Sequence, residues 1–230
     1  MKTHLFFDLD HTLWDFDKNS HETLALLFYK YELHLHTQHS ELDFIEAFHF
    51  ENRRLWGLYD QNLIDKHQLR DERILNALKK VKIDKVFDYQ KFNHEYLQIC
   101  PTKNHVIPFA LEVLEKLSQK YEIHILTNGF ETIQELKIAN SGIKKYIKQV
   151  FTAEKIGHKK PSNLFFKYVL EELQIDNQKC IMIGDTFEAD IVGAINSNID
   201  AIYFNPQLEI KENKNQFIEI KCLSELYQIL

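Results

Sequence analysis

The chain has 230 residues, 44% of them hydrophobic and 27% charged, with a formal net charge of -6. It is long enough for one large domain or for a core with a smaller module, and it is too acidic for a protein that grips nucleic acid through a basic face. Three widely spaced cysteines, Cys100, Cys180 and Cys222, with no Cys-x-x-Cys pair, predict neither a disulfide framework nor a zinc knuckle. No secretory leader pattern and no window near ~18 apolar residues is found, so a soluble, cytoplasmic protein with no membrane partner is expected. An anionic small substrate stays open, because one local cation outweighs a mild global charge.

The opening run Lys2-Thr-His-Leu-Phe-Phe-Asp8-Leu-Asp10-His-Thr12 reads as a short apolar strand ending in two carboxylates spaced i, i+2, with a hydroxyl two positions on. Two acids this close call for a cation or a shared proton, although a strand that merely stops in an acidic turn has the same pattern. From 17 to 102 the spacing turns helical. Asn19 with Glu22 resembles a capping box ahead of a helix over about 20–33, and further helices are predicted over 41–58, 66–81 and 88–99. His34, His36 and His39 lack metal-ligand spacing and read as a polar loop. Cys100-Pro101-Thr102 closes the region, because proline cannot continue a helix.

From 106 onward helix and strand alternate. Pro108 opens a helix running to Tyr121, a strand over 123–127 ends in Thr127-Asn128-Gly129, and a helix over 130–140 stops at Ser141-Gly142. Lys159-Lys160-Pro161-Ser162 precedes a helix over 164–173. A strand over 180–184 breaks at Gly184-Asp185 and leads into a helix with Asp190, Ile191 and Ala194 in its opening turns. A strand over 201–204, a polar loop over 205–215 and a helix over 223–230 complete the chain. Unbroken apolar strands separated by helices predict an α/β fold with a Rossmann-like parallel sheet. The core comprises 1–16 and 103–230, and an all-helical cap, 17–102, is inserted after the first strand.

The polar signals follow strands, where a parallel sheet opens its crevice: Asp8 and Asp10 after one, Thr127 and Asn128 after a second, Asp185 after a third. Lys160, ahead of a helix, can reach the same place. Carboxylates alone would repel a phosphate, so a divalent metal held by Asp8 and Asp185 is needed to bring one close. Lys160, together with the hydroxyl and amides near Thr127 and Asn128, would then neutralise the remaining oxygens.

In this order the segments resemble the four motifs of the haloacid dehalogenase superfamily: Asp8-Leu-Asp10-His-Thr12, Ile-Leu-Thr127-Asn128, Lys160-Pro161, and Gly184-Asp185-Thr-Phe-Glu-Ala-Asp190. The likeness covers nearly the whole chain, and 17–102 sits where members with a helical C1-type cap carry it. The resemblance implies Asp8 as the nucleophile of an aspartyl-phosphate and Asp10 as general acid, then base. It implies Thr127, Asn128 and Gly129 as phosphoryl ligands, with Lys160 pairing with both the phosphoryl group and Asp8. It further implies Mg²⁺ held by Asp8, Asp185 and the main-chain carbonyl of Asp10, with Asp190 and Thr12 in support. The common pattern has glycine where this chain has His11. An aspartate at position 10 favours phosphoryl transfer over halide displacement.

Two finer stretches, Asp8-Leu-Asp-His-Thr-Leu-Trp14-Asp-Phe16 and Thr127-Asn128-Gly129-Phe130, resemble the pyrimidine 5′-nucleotidase branch. That likeness implies a nucleoside monophosphate substrate, with Trp14, Phe16, Trp56, Tyr59 and Phe130 as aromatics able to stack on a base. The cap is expected to close over the phosphate on hinges near Asp17 and Pro101. A phosphatase or phosphomutase acting on sugar phosphates or phosphoglycolate-like substrates, and a haloacid dehalogenase, remain the alternatives.

Overall fold

The computed structural model describes residues 1–83, 88–209 and 216–230. The chain divides into two compact units, Met1–Phe16 with Asn104–Leu230, and Asp17–Lys103. The first unit contains a six-stranded sheet of β1 (His4–Phe7), β2 (Glu122–Thr127), β3 (Ile147–Thr152), β4 (Cys180–Gly184), β5 (Asp200–Phe204) and β6 (Ile218–Ile220). The order is β3-β2-β1-β4-β5-β6, and every pairing is parallel. Phe7 of β1 sits opposite Ile125 of β2 and Ile183 of β4, so the residues after these three strands emerge side by side. Strand order reverses between β1 and β4, which is where an open parallel sheet leaves a crevice.

Helical structure dominates the inserted unit. Helices α1 (Phe16–Lys30), α2 (Glu41–Asp60), α3 (Lys66–Lys80) and α4 (Tyr89–Ile99) are its main elements, and no strand occurs among its described residues. Helices α2 and α3 begin in capping boxes, Ser40 with Asp43 and Asp65 with Gln68, which satisfy backbone N–H groups left over in a first turn. The predicted start of α1 is corrected. The helix begins at Phe16, and Asn19 is buried inside it, its carbonyl accepting from Thr23 Oγ1 at 2.8 Å, so it caps nothing.

The core unit carries α5 (Ala110–Leu117), α6 (Glu131–Asn140), α7 (Ala153–Ile156), α8 (Asn163–Leu173), α9 (Gly193–Asn196) and α10 (Leu226–Ile229). Phe6, Met182, Phe165 and Phe166 are fully buried, with Ala194 and Ile191 in the same cluster. At about 1.5–3 kcal/mol per buried large apolar side chain, such a cluster is the main force holding helix to sheet. Two strands lay outside the sequence reading. β3 has an exposed Lys148-Gln149 pair, and the three-residue β6 leaves Ile218 49% exposed. Both are edge strands with one side in solvent, so neither presents the unbroken apolar run that marks an inner strand. The expected helix after Gly184-Asp185 opens as a six-residue π-helical segment, Phe187–Val192. Of the polar stretch 205–215, residues 210–215 lie outside the described residues.

Candidate active site

The centre of the crevice is the end of β1. Asp8 N–H donates to Ile183 O at 2.9 Å, continuing the β1–β4 ladder one residue past the strand and setting Asp8 beside Gly184 and Asp185. Carboxylate oxygens of Asp8, Asp185 and Asp190 lie within 4.8 Å of one another. Lys160 faces them with its side chain only 2% exposed. Its Nζ donates to Asp8 Oδ1 at 2.7 Å, Asp190 Oδ1 at 2.6 Å and Leu126 O at 2.6 Å. All three ammonium hydrogens are therefore used within the protein.

Asp190, fully buried, accepts from Lys160 and from Thr186 N–H at 3.0 Å. It fits because Gly184 has no side chain: a Cβ there would stand 2.2 Å from Asp190 Oδ2. Thr12, also fully buried, donates its hydroxyl to Asp185 Oδ1 at 2.9 Å. Burial pushes the Asp8 carboxyl up to about 7 against the pull of Lys160, with Asp190 adding repulsion. Burial and the charges of Asp8 and Asp190 likewise raise Asp185 well above the ordinary carboxylate value. Three carboxylates against one lysine leave an excess of negative charge on hard oxygen donors. That donor set fits a hard divalent cation, with Asp8 and Asp185 as its side-chain ligands and Asp190 committed to Lys160.

Asp10 stands in different surroundings. Lys137 Nζ donates to both its oxygens, at 2.7 and 2.9 Å, and Gln134 Nε2 donates to Oδ2 at 2.9 Å. Burial raises its pKa, but Lys137 and Gln134 outweigh that and hold the carboxyl below its ordinary value. Thr127 Oγ1 accepts from Gly129 N–H at 3.0 Å and from Gln134 Nε2 at 2.7 Å. Asn128 spends its amide differently: Nδ2 donates to Lys160 O at 2.9 Å and Oδ1 accepts from Lys160 N–H at 2.9 Å. Its side chain is a latch between the loop after β2 and the loop carrying Lys160.

His11 adopts φ 61, the left-handed region that a side chain enters at a cost of about 1 kcal/mol. This accounts for the glycine in the pattern the segment resembles. Trp14 does not offer a stacking face. It is fully buried, with Lys137 Nζ 4.7 Å from its ring. Phe130 is buried as well, whereas Phe16, and in the inserted unit Trp56 and Tyr59, are half-buried. Gln134 and Lys137 were missed from sequence. The available signal was a polar pair at i, i+3 on the helix directly after Thr127-Asn128-Gly129, a spacing that puts both on one face.

The family model for haloacid dehalogenase-like hydrolases matches residues 2–198. The chain belongs to that family. This hydrolase is 28% identical to the pyrimidine 5′-nucleotidase YjjG of Escherichia coli, over 98% of its own length and 96% of the relative's. It is 30% identical to the pyrimidine 5′-nucleotidase PynA of Streptococcus pneumoniae, over 88% of its length and 83% of the relative's. Among solved structures, the magnesium-bound HAD-hydrolase YfnB of Bacillus subtilis superposes with a TM-score of 0.87 at 26% identity, covering 100% of this hydrolase and 98% of that chain. No helix among the described residues is long and apolar enough to cross a membrane.

Proposed function

We propose that this hydrolase removes phosphate from nucleoside 5′-monophosphates, pyrimidine nucleotides above others, through an aspartyl-phosphate on Asp8. The observation that carries the chemistry is the second carboxylate, Asp10, held ionised beside Thr127 while Asp8 sits in a separate, metal-ready cluster. Two acids kept in unlike surroundings can take unlike roles. The substrate class rests on the near full-length similarity to two pyrimidine 5′-nucleotidases.

In this reading Asp8 attacks phosphorus and the ester oxygen leaves. Asp10 then takes the proton of the water that cleaves the aspartyl-phosphate, a task for which its ionised state already suits it. In the first half-reaction Asp10 carries a proton taken up from solvent as the substrate enters and gives it to the leaving oxygen, with Lys137 keeping the carboxyl in place. Thr127 Oγ and the Asn128 backbone N–H hold the phosphoryl oxygens, Gly129 N–H being spent on Thr127 Oγ. Lys160, fully engaged by Asp8 and Asp190, keeps the nucleophile oriented. Mg²⁺, held by Asp8, Asp185 and the Asp10 carbonyl, would supply charge neutralisation that lets an anionic ester approach. We place the enzyme in the cytoplasm, where its free cysteines stay reduced.

The test is phosphate release from a panel of nucleoside monophosphates, sugar phosphates and phosphoglycolate, with Mg²⁺, with EDTA, and in Asp8→Asn. Turnover biased to pyrimidine monophosphates, lost in EDTA and in Asp8→Asn, is expected. Turnover spread over sugar phosphates would keep the chemistry and remove the nucleotidase assignment. Release unaffected by Asp8→Asn would remove the mechanism.

A further inference from the structure

Helix α6 buries two polar side chains beside Ile138. Gln134 and Lys137, one turn apart, are 0% and 6% exposed, while Leu136 between them is 40% exposed. A buried amide and a buried ammonium need polar partners. Lys137 finds the Asp10 carboxylate, and its Nζ also lies 4.7 Å from the Trp14 ring and 5.9 Å from the Phe16 ring. Gln134 divides one amide nitrogen between Asp10 Oδ2 and Thr127 Oγ1. Both acceptors lie on the nitrogen side of the amide, so its oxygen faces away from Asp10 and Thr127. Gln134 Oε1 is consequently buried with no hydrogen-bond partner, an unfavourable position imposed by the two bonds on the nitrogen side.

The effect on Thr127 follows from counting valences. A hydroxyl has two lone pairs and one hydrogen. Gly129 N–H and Gln134 N–H occupy both lone pairs of Thr127 Oγ, so its hydrogen has only donation left to it. Gly129 makes the arrangement possible. A Cβ at that position would stand 2.2 Å from Gln134 Nε2 and 2.5 Å from Cδ.

We propose that Gln134 and Lys137 are positioning residues: together they fix the Asp10 carboxylate, and Gln134 also makes the Thr127 hydroxyl an obligate donor to the phosphoryl oxygens. The proposal rests on the reading of Asp10 as acid and base and of Thr127 as a phosphoryl ligand. It gives Gly129 the role of leaving space for the Gln134 amide.

The experiment uses the full chain with Mg²⁺ and p-nitrophenyl phosphate, and compares Gln134→Met, Gln134→Ala, Lys137→Met, Lys137→Arg, Gly129→Ala and the double variant Gly129→Ala with Gln134→Ala. Misplacing an acid–base group by an ångström lowers rate by about 10²-fold, so Lys137→Met is expected to lower kcat on that scale with KM little changed. Gln134→Met is expected to lower kcat and raise KM, and to weaken inorganic phosphate binding in calorimetry, because Thr127 loses its set direction. Lys137→Arg should recover part of the rate, since it keeps two donors on Asp10. Gly129→Ala should resemble Gln134→Ala and add nothing to it in the double variant. Wild-type rates within about threefold in both methionine variants, once circular dichroism shows each to be folded, would overturn the inference. So would rates lost equally in Lys137→Met and Lys137→Arg, or a full extra loss in the double variant. A wild type that releases no phosphate, or an Asp8→Asn variant that does, would instead remove the underlying functional reading.

Discussion

At the C-terminal ends of the strands Asp8, Asp185 and Asp190 gather around Lys160; at the N-terminal ends His4, Glu122 and His124 share one face of β1 and β2. Both groups bring their ligand atoms within 4.8 Å of one another. Their buried members differ in kind. Asp190 is fully buried and paired with Lys160 at 2.6 Å. His124 is fully buried with no hydrogen-bond partner on either ring nitrogen, flanked by the His4 ring at 5.6 Å, Phe6 at 5.9 Å and Phe151 at 6.1 Å. Burial, with the charges of His4 and Lys148, pushes its pKa down to about 4, so it packs as a neutral ring. One end of the sheet holds charge that a cation would complete, and the other excludes charge. The pH dependences therefore oppose each other. A raised Asp8 stabilises the fold below its unfolded value near 3.8 and loses that contribution as pH climbs to about 7. A depressed His124 contributes above its unfolded value near 6.5 and loses it as pH falls towards about 4.

The largest effect expected from breaking this contrast is on chemistry. Asp8→Asn should cut phosphate release by about 10⁴-fold or more, measured with Mg²⁺ at saturating substrate, because the carboxylate that takes up the phosphoryl group as an acyl phosphate is gone. Next comes Lys160→Met, which leaves Asp8 and Asp190 buried without their cation. Removing one partner of a buried pair costs about 3–5 kcal/mol, and urea unfolding should report a loss of that size. At the opposite end, His124→Phe should leave stability at pH 7 nearly unchanged and flatten its decline between pH 6.5 and 4. The decline removed is on the order of 3 kcal/mol, read from urea midpoints across that range. Smallest is Asp185→Asn, which keeps an acceptor for Thr12 and removes one of three crowded charges. In EDTA it should raise the melting temperature by a few degrees, on the order of 1 kcal/mol, and it should abolish any rise that Mg²⁺ gives the wild type.

Much of the site could be read from the chain because an inner parallel strand announces both itself and its end. Phe6-Phe7-Asp8, Leu126-Thr127-Asn128 and Ile183-Gly184-Asp185 each pass from apolar to polar at the strand terminus, and three adjacent strands in register bring those termini together. What sequence hid was how the polar atoms divide their bonds. Asn128 looks like a ligand beside Thr127, yet both ends of its amide hold the Lys160 backbone. Trp14 looks like a stacking surface, yet it is core, covered by an ammonium. The edge strands β3 and β6 escaped because an edge needs no unbroken apolar run.

Sequence by itself determined the α/β core with its helical insert, the order of the strand-end motifs and the presence of a second acid at position 10, because hydrophobic period and residue type are local properties. The resemblance implied the pair of Lys160 with Asp8, but tertiary structure alone decided that Lys137 serves Asp10 and that Lys160 also holds Asp190. Lys160 is 152 residues from Asp8, and Lys137 is 127 from Asp10. Spacing along the chain carries no information about such pairs; sheet register and helix facing bring them within hydrogen-bond reach and so set which carboxyl rises and which falls.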